Sequence, residues 1–138
     1  MTLTIRVIAP DKTVWDATAN EVILPSTTGQ LGILSGHAPL LTGLEAGVMR
    51  VREEKGWTAI ALMGGFAEIE NNEVTILVNG AEIGENIDRE DARSAFEAAQ
   101  ARFSKSESSD ARQERYQAMQ DVKRARARLP ASGELVQL

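Results

Sequence analysis

An antiparallel β-sandwich or flattened barrel followed by a C-terminal α-helical hairpin is the fold class that this 138-residue sequence predicts. Three observations predict it. Up to about residue 84, short runs of alternating apolar and polar residues are separated by polar or glycine-bearing turns. Gly29, Gly32, Gly36 and Pro39 punctuate the leucines and isoleucines of the most constrained stretch, Gly29 to Thr42, the mark of a short strand flanked by tight turns. Near residue 85 the two-residue period gives way to three- and four-residue steps rich in alanine. Residues 1–84 therefore form the β body, and 85–138 form a helical arm.

Taken in order, Leu3, Ile5 and Val7 alternate with Thr4, Arg6 and Ile8, the period of an edge or half-buried strand. Ala9-Pro10-Asp11-Lys12 is a turn, with proline fixing φ and Asp11 able to bond local backbone. Trp15–Ala17 and Glu21–Leu24 are short strands, the second ended by Pro25-Ser26. Val48–Arg52 alternates, Glu53-Glu54-Lys55-Gly56 is a hairpin loop, and Trp57–Met63 is its returning strand. Met63-Gly64-Gly65-Phe66 reads as a bend where backbone freedom or close contact is needed. Phe66–Glu70 alternates again, Asn71-Asn72 turns, and Val74–Val78 is the strongest strand in the chain. The total is about eight to ten short strands, which excludes a βαβ fold.

In the arm, Asp88 is placed to cap a helix, with Glu90 and Asp91 beside its exposed amides. Ala92, Ala95, Phe96, Ala99 and Phe103 make its apolar stripe. The polar run Ser104–Ser109 breaks the helix. A second helix starts at Asp110, carries Ala111, Ala118, Val122, Ala125 and Leu129 on one side, and stops at Pro130–Gly133. A connection this short lays the two helices antiparallel. Alanine stripes bury little apolar area, so the hairpin is expected to be marginally stable and able to repack elsewhere.

Composition narrows the chemistry. The sequence has no cysteine and one histidine, so disulfides and thiolate metal sites are excluded and a zinc site is not expected. No apolar run approaches the ~18 residues of a membrane span, and the N-terminus lacks a signal-peptide pattern, so membrane association is expected only through a partner. The net charge of −5 is unevenly spread. Residues 1–111 hold 9 basic and 17 acidic side chains, whereas residues 112–128 hold 6 basic and 2 acidic. An acidic body with few aromatics is a poor nucleic-acid binder, but its basic segment suits an acidic protein surface.

Catalytic constellations are weak. Ser35 and His37 are the formal elements of an acyl-transfer pair, yet no G-x-S-x-G elbow surrounds them. A structural role or a partner contact explains His37 better. Gly29, Gly32 and Gly36 lack the following Gly-Lys-Ser/Thr of a phosphate loop and are explained by turns. Leu31, Ile33, Leu34, Leu40 and Leu41 exceed what a loop needs for its core, leaving one or two for a partner. Arg112, Arg115, Lys123, Arg124, Arg126 and Arg128 form either a solvated helix face or a contact with carboxylates. The four cations within 123–128 favour the contact, because arginine pairs directionally with carboxylates.

The segment Leu31-Gly32-Ile33-Leu34-Ser35-Gly36-His37-Ala38-Pro39-Leu40-Leu41-Thr42 resembles that of the epsilon subunits of F-type proton-translocating ATP synthases. Gly47-Val48, the Gly64-Gly65-Phe66 bend and the Ile87-Asp88 helix start extend the resemblance over essentially the full length. It implies a β-sandwich of about ten strands followed by a helical hairpin. It also implies a non-catalytic rotor subunit that couples catalysis to proton translocation and restrains ATP hydrolysis. Gln30 and Leu31 would contact the ring of c subunits. Ser35, His37, Leu40 and Leu41 would face the gamma subunit. Arg115 and the run Lys123, Arg124, Arg126, Arg128 would meet the alpha/beta catalytic subunits when the arm extends, the acidic stretch of beta facing the run. The alternative is a β-sandwich module whose basic arm serves an acidic partner outside ATP synthase.

Many bacterial members of that family bind ATP through an I/L-D-x-x-R-A motif. Here the motif reads Ile87-Asp88-Arg89-Glu90-Asp91-Ala92, with aspartate where arginine should meet phosphate. Exchanging a cation for an anion repels a polyanion. Arg124 and Arg128 remain, and Arg89 or Arg93 could compensate, but ATP binding is expected to be weak or absent and no other cofactor is expected. The loss resembles photosynthetic members, which implies a peripheral place on the thylakoid membrane, the alternative being the cytoplasmic side of a bacterial plasma membrane.

Overall fold

Alternation through the first 83 residues resolves into eight strands in the computed structural model, which describes residues 2–106 and 112–133. They are β1 (Leu3–Ala9), β2 (Lys12–Ala19), β3 (Glu21–Ser26), β4 (Gly29–Leu34), β5 (Leu40–Glu53), β6 (Gly56–Glu70), β7 (Glu73–Val78) and β8 (Ala81–Ile83). The strand order is β2-β1-β7-β6-β5-β3-β4, with β8 also on β6.

β5 and β6 are long enough to serve two layers. β7 pairs with β6 from Gly65 to Glu70, and β8 pairs with it from Ile60 to Leu62. The β5–β6 ladder keeps its register but skips one pair, Glu45 opposite Gly64, between Leu44↔Gly65 and Ala46↔Met63, and there the ribbon turns its corner. Gly64 and Gly65 supply that corner, with φ of 89° and 149°. A Cβ at Gly65 would strike the Leu77 carbonyl oxygen, so close strand approach also requires glycine. Counting each half of β5 and β6 separately recovers the expected sandwich of about ten strands. Its single core joins Leu3, Ile5, Val7, Ile69 and Ile76 of one layer to Val22, Leu24, Ile33, Met49 and Ile60 of the other.

Two details differ from the sequence reading. β1 is not an edge strand but lies between β2 and β7, its inward residues Leu3, Ile5 and Val7 fully buried. Its pairing with β7 is parallel, the exception in an otherwise antiparallel sheet. Alternation fixes which side chains point inward but is blind to the direction of a neighbour. Asn71 and Asn72 form the β6–β7 turn with φ of 51° and 64°, the left-handed pair a two-residue hairpin requires.

A 3-10 turn at Gly84–Asn86 leads to α1 (Arg89–Ser106) and α2 (Arg112–Ala131). Asp88 caps α1 as expected, its Oδ1 accepting the Asp91 amide at 3.0 Å. α2 ends at Ala131, within the expected stop at Pro130–Gly133, and carries Pro130 in its last turn. It packs against α1, β5, β6 and the 3-10 turn. α1 runs on through Ser104 to Ser106, past the start of the break expected at Ser104–Ser109, and the connection 107–111, with Ala111 and the expected helix start at Asp110, lies outside the described residues. The helices share a second core, separate from that of the sandwich, in which Ala61, Ala92, Ala99, Ala125, Ala127 and Ala131 outnumber Ile87, Phe96, Val122 and Leu129. Such a core buries few methylenes per residue, at about 0.8 kcal/mol each.

Candidate partner-docking site

Period-two geometry determines what the sandwich leaves outside. With Ala67 and Ile69 inward on β6, Phe66 and Glu68 must face out; with Val74, Ile76 and Val78 inward on β7, so must Leu77. Phe66 is directly opposite both Leu77 and Gly43 in the ladder, and Leu41 lies two residues from Gly43 on the same face. Leu41, Phe66 and Leu77 are 68%, 60% and 53% exposed. Half-buried Ile8 lies across from Leu77 on β1. Together they form an apolar strip on an outer face, of the kind that marks a protein interface.

Two turns border this strip. The Gly36 amide donates to Asn72 Oδ1 at 2.7 Å, tying the Ser35–Pro39 turn to the β6–β7 turn at the end of the same layer. The Thr27 amide donates to the Gly43 carbonyl at 3.1 Å, bringing the exposed Thr27-Thr28-Gly29 tip of β3–β4 against the strip. Gln30 is exposed beside that tip, opposite Pro25. Leu31 and Leu40 are half-buried and pack on the sandwich core, whereas Leu41 faces solvent. His37 Nδ1 donates to the Ala38 carbonyl at 2.7 Å, and its amide donates to Leu34 at 3.2 Å. The histidine braces the turn, and Ser35 is half-buried next to it without sharing those bonds. Phe66 and Leu77 were absent from the residues selected by sequence. The signal was present, since a run of apolar residues such as Val74–Val78 cannot bury every side chain in a two-faced strand.

The arm holds the cations. Arg115, Arg124 and Arg126 are exposed and Lys123 is half-buried, and none of the four has an ion pair among the described residues. Arg128 is 25% exposed and anchored to the sandwich, its Nε 2.9 Å from Glu82 Oε1 on β8. Nε makes no aligned hydrogen bond, so this contact is mainly electrostatic. Arg102 on α1 lies 3.8 Å from Asp121 on α2. Lys123, Arg124, Glu82 and Asn79 line a groove of about 470 Å³ between arm and sandwich.

Cations near the I-D-x-x-D-A segment are occupied by the protein itself. Arg89 donates to the Ser132 carbonyl at 3.3 Å, Arg93 lies 3.9 Å from Glu90, and Arg128 faces Glu82. Asp91 is exposed in the first turn of α1.

Fold and surfaces together define the class, a β-sandwich with an apolar outer strip followed by a basic two-helix arm. Residues 2–84 match the family model for the β-sandwich domain of the ATP synthase delta/epsilon chain, and residues 85–133 match its long α-helix domain. The chain belongs to this ATP synthase family, and its role is that of an epsilon chain. It is 70% identical to the ATP synthase epsilon chain of Acaryochloris marina over 138 residues, the whole of both chains. It is 71% identical to that of Trichodesmium erythraeum over 136 residues, 99% of each. Among solved structures, a chain of the Euglena gracilis mitochondrial ATP synthase (OSCP/F1/c-ring) shares the fold, with a TM-score of 0.79 and 23% identity over 96% of this chain and 82% of that one. A chain of the Tetrahymena thermophila mitochondrial enzyme (central stalk and c-ring) gives 0.61 and 17% over 96% and 97%. A module for an acidic partner outside ATP synthase has no support in these matches.

Proposed function

We propose that this chain is a non-catalytic rotor subunit whose sandwich docks on the gamma subunit and the c ring, and whose arm restrains ATP hydrolysis. The Leu41–Phe66–Leu77 strip, with the Ser35–His37 turn at its end, supplies the apolar gamma-facing surface. The neighbouring β3–β4 tip with Gln30 and Leu31 supplies the c-ring contact. The two solved likenesses come from assemblies described as F1 with c ring and as central stalk with c ring, which supports these partners. No described helix is long and apolar enough to cross a membrane. The cyanobacterial relatives support a peripheral place on the thylakoid membrane.

One observation carries the regulatory part. The arm rests on the sandwich through an alanine-rich core and a few partly exposed charge contacts, while Arg115, Lys123, Arg124 and Arg126 lack acidic partners among the described residues. Exposed ion pairs contribute about 0–1 kcal/mol each. An acidic surface on the alpha/beta catalytic subunits, offering directional carboxylates to several arginines at once, competes well with so weak a dock. ATP is expected to fix the docked arm weakly or not at all, because Asp91 stands where a phosphate-binding arginine is needed and Arg89 and Arg128 are engaged, leaving Arg124 as the exposed cation nearby. The test is ATP hydrolysis by the catalytic subcomplex reconstituted with the full chain or with a chain ending at residue 87. The truncated chain should still assemble with gamma and should give faster hydrolysis. Equal rates with both chains would overturn the inhibitory role.

A further inference from the structure

We propose that the last turn of α2 is a latch, clasped by residues 82–89, and that its release is what frees the arm. This deepens the reading above, from which it takes the existence of an undocked arm. Gly84 is buried, and a methyl group there would strike the Ala131 carbonyl oxygen and lie 2.9 Å from the Ala59 carbonyl oxygen. Its φ is not in the left-handed region, so the glycine supplies space rather than conformation. The end of α2 therefore rests directly on the backbone of the segment joining sandwich to arm.

Charges clasp this contact on both sides. Glu82, before Gly84, holds Arg128 at 2.9 Å, and Arg89, after it, donates to the Ser132 carbonyl at 3.3 Å. Gly133, at φ 102°, lies under the Arg89 guanidinium, which a Cβ there would push aside from 2.7 Å. Pro130 loosens the same turn from its own helix, because it has no N–H to give the Arg126 carbonyl. The turn keeps its own closing bonds, Ser132 N–H to the Arg128 carbonyl at 3.1 Å and Ser132 Oγ to the Leu129 carbonyl at 2.6 Å, and the clasp fixes this closed end to the joining segment. Undocking must break here, and widening this contact by one methyl group favours the released arm.

Amide hydrogen exchange of the full-length isolated chain tests the latch without reference to ATP hydrolysis. Gly84→Ala should speed exchange in α2 by about ten- to a hundredfold, the range expected for overpacking by one methyl, with β1 and β7 unchanged. Gly80→Ala is the matched control, because its Cβ would meet only the Met63 side chain at 3.5 Å; it should leave α2 unchanged. Unchanged α2 exchange in Gly84→Ala, or acceleration spread equally through β6 and β8, would overturn the latch. If Gly84→Ala fails to fold, Arg89→Ala decides: faster exchange confined to the arm supports the clasp, and unaltered exchange refutes it. A loosened arm that leaves hydrolysis unaltered in the reconstituted complex would keep the latch and overturn the inhibitory reading instead.

Discussion

Phe66 and Leu77 face each other across adjacent strands, and both point into water. Large exposed apolar groups in register on a sheet face have little to gain in the isolated chain, so their value lies in a partner's surface. Phe66→Asp should leave thermal stability nearly unchanged, since the side chain is mostly solvated. It should weaken binding to gamma by tenfold or more, as charge insertion at an aromatic anchor does, measured by titration of purified gamma-containing subcomplex. Undiminished affinity would remove the strip from the interface. Asp91 makes an opposite kind of statement. Calorimetric titration of the full chain with ATP should show weak or no binding, and Asp91→Arg should strengthen it at least tenfold by replacing repulsion with a charge-assisted phosphate contact. Tight binding to the unaltered chain would contradict that account.

Among elements, those governed by local rules were legible in the sequence. The Asp88 cap, the Ala92–Phe96–Ala99 stripe, the Asn71-Asn72 turn and the Gly64-Gly65 bend each follow from the residues concerned, and each is present. Non-local choices were not legible. The parallel pairing of β1 with β7 depends on where distant strands lie, and the alternation of Leu3, Ile5 and Val7 is the same whichever way the neighbour runs. Pro130–Gly133 reads as a stop because proline's missing N–H and ring oppose a helix interior, and α2 does end there, at Ala131. The exposed apolar strip was half legible. Leu41 stood out in the glycine-punctuated stretch, whereas Phe66 and Leu77 hid inside strands that read as core. Gly84 gave no signal, because a glycine needed for space looks like a glycine needed for a turn.

In the whole molecule, two cores of different quality are joined through one short segment. The sandwich core is built from leucine, isoleucine, valine and methionine, several of them fully buried, and sets a rigid platform. The arm core is mostly alanine and depends on the clasp at Gly84 and on Glu82–Arg128. Differences of this kind place the arm at the low-stability end of the fold, where switching elements are drawn from. Its cations face carboxylates elsewhere only if the arm can leave. The most direct test introduces Glu82→Cys and Arg128→Cys and joins them with a short bifunctional linker, pinning α2 to β8. ATP hydrolysis by the reconstituted catalytic complex is then compared before and after bridging. Bridging should raise hydrolysis to the rate seen with the chain ending at residue 87, while hydrolysis that stays equally restrained after bridging would contradict the account.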